Sequence, residues 1–134
     1  MRYIALFENL TGAVAKDCVI DEPMGRIIFV VRPGDMGLAI GRNGINVKRL
    51  RGIIGKQIEI VEYADKPEDF LKNVLLPAKI RAIKIAKMPD GRKIAHVTVE
   101  PQDKGIAIGK NGRNIARARL LMKRYFDIDH VKIS

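Results

Sequence analysis

Two short runs, Gly41-Arg42-Asn43-Gly44 and Gly109-Lys110-Asn111-Gly112, bring together residue types suited to holding a phosphate. Paired glycines let the backbone adopt dihedrals that carry main-chain N–H groups close to an anion, and a following helix adds the positive end of its dipole. Arg42 or Lys110 supplies a mobile charge. Asn43 or Asn111 can donate a hydrogen bond or tolerate a left-handed turn. A lone G-x-x-G carries little weight, since a chain of ordinary glycine content has about one by accident. Here it sits inside a longer repeat: with a shift of 68 positions, Val31–Val47 overlies Val99–Ile115, and ten of the seventeen residues are identical. These are Val31, Pro33, Asp35, Gly37, Ala39, Ile40, Gly41, Asn43, Gly44 and Asn46. The chain is two copies of one unit.

Other chemistries fail on spacing. Gly105-Ile-Ala-Ile-Gly109-Lys110-Asn111 is one residue short of a nucleotide-triphosphate loop and offers Asn111 where a magnesium-binding hydroxyl should stand. His96 and His130 have no nearby cysteines or carboxylate pair, so no zinc or general-base arrangement is expected. Cys18, the single cysteine, suits a small buried strand residue and a reducing compartment. No enzyme activity, metal or cofactor is expected. With no apolar run near the ~20 residues of a membrane span and no charged-then-apolar leader, the expectation is a soluble, cytoplasmic protein acting as a monomer.

The net charge of +10 follows the repeat. Residues 41–56 hold Arg42, Lys48, Arg49, Arg51 and Lys56 with no acid; residues 109–124 hold Lys110, Arg113, Arg117, Arg119, Lys123 and Arg124 with no acid. Removing these eleven leaves 25 − 11 = 14 basic residues against 15 acidic ones, so the remainder is nearly neutral. A basic excess confined to two loops and the helices they open marks a polyanion footprint.

The elements that must position these loops follow from periodicity. Arg2–Leu10 has helical spacing, with Ile4, Leu6, Phe7 and Leu10 apolar and Gly12 beyond its end. Ala13–Ile20 is extended, Pro23-Met24-Gly25 turns, and Arg26–Val31 is a β-branched and aromatic strand. Asp35 is expected to cap a short helix ending at Ile40; the loop follows, then a helix to about Ile54, capped by Gly55. Gln57–Tyr63 alternates as a strand, with Ile58 and Ile60 on one face. In the second half Pro67 opens a helix whose stripe is Phe70, Leu71, Val74 and Leu75. Lys79–Ile85 and Lys93–Val99 are strands around the Pro89-Asp90-Gly91 turn. Asp103 is expected to cap another short helix before the second loop. A long helix then buries Ile115, Ala118, Met122 and Phe126, and His130–Ile133 closes as a strand. The expected boundary is at Ala64-Asp65-Lys66, dividing residues 1–64 from 65–134.

This order, with an Ile-Gly-x-x-Gly loop between two helices in each half, resembles the type II KH domain. The tandem arrangement is similar to the KH pair of the NusA family, in particular its short archaeal members. Gly34–Arg49 and Gly105–Ile115 carry the resemblance, and the order of elements extends it over nearly the whole chain. It implies an α+β fold of two tandem type II KH domains, each a small three-stranded sheet covered by three helices. It also implies single-stranded RNA as the partner, in transcription termination or antitermination, with RNA polymerase or the nascent transcription complex as a further partner. A KH protein of ribosome assembly or RNA processing would share every motif. The expected RNA-contacting residues are Ile40, Gly41, Arg42, Asn43, Gly44, Asn46, Lys48, Arg49 and Arg51 in the first copy. In the second they are Ile108, Gly109, Lys110, Asn111, Gly112, Arg113, Asn114 and Arg117. KH domains clamp about four nucleotides. By position the bases would lie against Leu38, Ile40, Val47 and the strand Ile58–Val61, and against Ile106, Ile108, Ile115 and the strand His130–Ile133. With no aromatic residue in either loop, aliphatic contact replaces stacking, and the two copies are expected to line one continuous stretch of RNA.

Overall fold

The structure, a computed structural model, describes residues 2–134 and divides into two compact units, the first ending at Ala64 and the second running Asp65–Ser134. Each repeats the same order of elements. The first contains α1 (Arg2–Thr11), β1 (Ala15–Asp21), β2 (Arg26–Val31), α2 (Met36–Ile40), a 3-10 turn at Arg42–Gly44, α3 (Ile45–Ile54) and β3 (Gln57–Glu62). Its sheet has the order β1-β2-β3, with β1 antiparallel and β3 parallel to the central β2. A parallel neighbour cannot be reached by a tight hairpin. The crossover from β2 to β3 is α2, the glycine turn and α3, so the topology itself places the loop between two helices.

All six residues of β2 are buried, the apolar run Ile27–Val31 together with Arg26 at its start. Ile27, Phe29 and Val31 face the helices and join Phe7, Ala39, Leu50 and Ile58 in one cluster, with Phe7 stacked on Phe29 at 4.3 Å. On the other face the fully buried guanidinium of Arg26 is held by Asp21 at 2.7 Å and Glu59 at 3.1 Å. Burying such a charge is tolerable only with carboxylates in place.

The second unit contains α4 (Pro67–Leu75), β4 (Ile80–Lys87), β5 (Lys93–Val99), a 3-10 turn at Pro101–Asp103 leading into α5 (Lys104–Ile108), a second turn at Lys110–Gly112, α6 (Arg113–Phe126) and β6 (His130–Ile133). The sheet order is β4-β5-β6, again antiparallel then parallel. The expected stripe of α4 is buried in full, and Phe70 meets Tyr125 edge-on at 5.4 Å and Phe126 at 5.9 Å. On α6, Ala118, Leu121 and Met122 are buried, whereas Ile115 and Phe126 are only partly so. Leu121, which the sequence reading passed over, lies one position from Met122 on the same wide apolar stripe.

The expected capping roles of Asp35 and Asp103 are not what the structure shows. Both stand at helix N-caps, but neither side chain bonds to its helix. The Asp35 carboxylate accepts from the N–H of Val14 at 2.8 Å and from Arg32 Nε at 2.9 Å. That of Asp103 accepts from the N–H of Lys79 at 2.8 Å. Val14 and Lys79 each directly precede the first strand of their sheet. Their carbonyls accept from Arg32 and Glu100, the residues just beyond the central strands. The repeated aspartate therefore ties the entry of one edge strand to the exit of the central one, a long-range contact that local sequence cannot reveal. Asp35→Ala should lower stability in urea unfolding by about 1–3 kcal/mol, because a part-buried N–H loses its acceptor. Asp103→Ala, whose bond is exposed, should cost less, and Asp35→Asn should recover part of the loss.

Candidate nucleic-acid interface

The two glycine turns have the same backbone. Gly41 has φ 75°, ψ 171° and Gly109 has φ 80°, ψ 165°; Asn43 and Asn111 are left-handed at φ 55° and 57°, and Gly44 and Gly112 at φ 71° and 73°. The first glycine ends one helix, with Gly41 N–H donating to the Gly37 carbonyl at 2.9 Å and Gly109 to Gly105 at 2.8 Å. The turn closes through Gly44 N–H to Gly41 and Gly112 N–H to Gly109. The N–H groups just ahead of those donors, on the two central residues, are the ones that a starting turn leaves directed outward. Arg42, Asn43, Lys110 and Asn111 are all exposed at this apex.

The side chains of Asn46 and Asn114 bond across the turns. Asn46 Nδ2 donates to the Leu38 carbonyl at 2.9 Å, and Asn114 Nδ2 to the Ile106 carbonyl at 2.7 Å. Each amide reaches back across the turn to a carbonyl that its short helix leaves without an intrahelical partner. The amide fills the space beside the first glycine. A Cβ on Gly41 would lie 2.8 Å from Asn46 Nδ2, and one on Gly109 would lie 2.8 Å from the Asn114 side chain and 2.9 Å from its backbone nitrogen. The backbone dihedrals of these glycines independently favour glycine.

Around the turns lies an apolar rim. Leu38, Ile40 and Ile45 are exposed in the first copy, as is Ile106 in the second, where Ile108 and Ile115 are half-buried. Val47 and Ile60 pack partly on the first core, and Ile58 is buried in it, so Leu38 and Ile40 are the more accessible part of the expected groove. In β6 the pleat turns Val131 towards the core beside Ala95, while His130 and Lys132 lie on the opposite face of the sheet. His130 is therefore not a groove residue.

The cations divide between the copies. In the first, Arg42, Lys48, Arg49 and Arg51 are exposed, with no carboxylate bound among the described residues. In the second, several are already occupied. Arg117 Nη2 donates to the Val74 carbonyl at 2.9 Å, anchoring α6 to the last turn of α4, and Arg113 is half-buried and engaged. Lys123 bridges Asp127 at 2.7 Å and Asp129 at 2.8 Å, and these carboxylates hold its ammonium charged well above the usual lysine range. Lys110, within the second glycine turn, is exposed. The second segment, with six cations to the first's five, thus leaves more of them engaged within the fold.

Gly41→Ala and Gly109→Ala should each destabilise the chain by roughly 1–3 kcal/mol, from the dihedral strain and the displaced asparagine. Thermal unfolding should show Gly109→Ala as the worse, because its Cβ also meets backbone.

Comparison with known proteins places this geometry. The KH domain family matches residues 1–89, and the NusA-like second KH domain matches residues 67–134. The chain is 39% identical over its full length to "Probable transcription termination protein NusA" of Halococcus morrhuae, covering 94% of that protein. It is 38% identical over 98% of its length to the protein of the same name from Halobacterium salinarum, covering 91% of it. The crystal structure of APE1850 superposes with a TM-score of 0.90 at 42% identity, covering 99% of this chain and 96% of that one. With two KH units in tandem, the chain belongs to the NusA family.

Proposed function

We propose that the chain binds single-stranded RNA as a transcription termination factor, acting by binding and not by catalysis, with the nascent transcript as its target. The observation that carries this reading is the pair of turns with matching dihedrals. Each exposes a basic residue and an asparagine at its apex and carries aliphatic side chains on its flanks. Phosphates would sit on the outward N–H groups of Arg42-Asn43 and Lys110-Asn111, with the guanidinium or ammonium beside them. Gly41, Gly44, Gly109 and Gly112 allow the approach. Lys48, Arg49 and Arg51 extend the field along α3. Bases would lie against Leu38 and Ile40 or Ile106 and Ile108, held by aliphatic contact and edge hydrogen bonds.

Asn46, Asn114 and Arg117 act at one remove in this scheme, holding the turns and α6 in place. The relatives' names supply the transcriptional role. RNA recovered from cells by crosslinking should be nascent transcript near 3′ ends; mature ribosomal RNA instead would favour ribosome assembly.

Replacing Arg42-Asn43 or Lys110-Asn111 by Asp-Asp should weaken single-stranded RNA binding by about ten-fold or more while leaving thermal unfolding nearly unchanged, because aspartate also tolerates the left-handed position. The logarithm of affinity should fall linearly with the logarithm of salt, by about 0.7 for each phosphate engaged. Filter binding over a salt series measures both. If both double variants bind as the parent does, the turns are not the site.

A further inference from the structure

The second sheet has an open face that the scheme above leaves unused. Lys84 on β4, His96 on β5 and Lys132 on β6 are direct cross-strand partners, so the three form one row across the sheet. All three are exposed. At a strand spacing of about 4.8 Å, the two lysines stand roughly 10 Å apart with the imidazole between them. The remaining residues of this face, Ala82, Ala86, Ile94, Thr98 and His130, include no carboxylate. Beside the row lies a recess of about 450 Å³ lined by Met88, Arg92, Ile94, Asp129, His130 and Lys132. Its one acid, Asp129, is occupied by Lys123 Nζ and the N–H of Lys93.

The fold does not require cations there. In the first unit the corresponding row is Val19, Ile28 and Glu59, two of them buried and the third bound to Arg26. The basic row is peculiar to the second copy. Its two lysines stand two strands apart with an imidazole and no carboxylate between them. His130 lies on the same face, two positions before Lys132. Its desolvated position, and then Arg119 on α6, Lys132 on β6, Arg92 before β5 and His96 on β5, hold its imidazole below the usual histidine range. Arg119, whose Nε lies 3.4 Å from the Val131 carbonyl, carries positive charge from the helix that follows the second turn to the edge strand β6.

We propose that this open face is a second RNA-binding surface, on which phosphates lie along Lys132, His96 and Lys84 and one nucleotide enters the recess against Ile94, Met88 and the His130 ring. RNA leaving the second turn would pass over Arg119 and the β6 edge onto it. The inference rests on single-stranded RNA binding by the turns and adds length to the RNA engaged.

The chain has only two histidines, and both lie on this face, so their ring protons report it without other labelling. NMR of the full chain should show both signals shifting when an unstructured RNA of about sixteen nucleotides, twice what two KH clamps hold, is added. The His130 titration should move upward as phosphate joins the field. Lys84→Glu/Lys132→Glu should lower affinity for that RNA about ten-fold and flatten the log–log salt slope by about 1.4, two phosphates' worth. Lys84→Ala/Lys132→Ala tests the same loss without reversing charge. Unmoved histidines at saturation, or a lysine variant that binds as the parent does while Arg42-Asn43 and Lys110-Asn111 variants lose binding, would overturn this proposal and leave the turns intact. Histidine shifts with polyglutamate but none with RNA would assign the face to an acidic protein and overturn it too. No RNA binding by the parent chain would remove both.

Discussion

One contact holds each glycine turn: the side-chain amide of Asn46, and of Asn114 in the second copy, bonded to a carbonyl eight residues back across the turn. The helix before each turn has five residues, too short to satisfy its own final carbonyls. The asparagine supplies the missing donor from the helix that follows, and so fixes the angle between the two. It occupies the space a Cβ would need, which makes glycine obligatory at 41 and 109 for packing as well as for dihedral reasons. With the turn clamped from inside, its two central residues can only point outward. The apex that carries charge is therefore a consequence of how the base of the loop is held.

The same constraint explains what duplication kept and what it released. Every residue that sets the turn repeats: both glycines, the left-handed asparagine, the clamping asparagine, and the aspartate that ties the strand ends. What surrounds it has drifted. α6 is four residues longer than α3 and spends its charges on structure, with Arg117 on α4 and Lys123 on two aspartates. α3 leaves Lys48, Arg49 and Arg51 exposed. Two units with one turn geometry thus present different electrostatic surroundings to a ligand.

Much of the fold was legible because its signals are local. Arg26–Val31, Lys93–Val99 and His130–Ile133 are strands with the bounds expected from their composition, and Gly55 is left-handed where a helix end was expected. The KH architecture followed from the order of elements and the Ile-Gly-x-x-Gly turn. Features that depend on contacts distant in sequence were not legible. Asp35 and Asp103 look like caps because an aspartate before a helix usually is one; that each bonds instead to a strand entry depends on the tertiary fold. Asn46 looked like a ligand contact because it shares the repeat with residues that are exposed. By charge count the second segment is the more basic, at six cations to five, but a sequence does not show which arginine will find a carbonyl. Alternation in β6 could have shown that His130 and Lys132 share a face away from the groove.

The central claim is that RNA is held by its backbone at the two clamped turns. Ultraviolet crosslinking of the full chain to an RNA of about four nucleotides, the length one KH clamp holds, followed by peptide mapping, tests it most directly. Crosslinks within residues 38–51 and 106–113 are the predicted result. Crosslinks confined to other segments, with both turns unmodified, would contradict it.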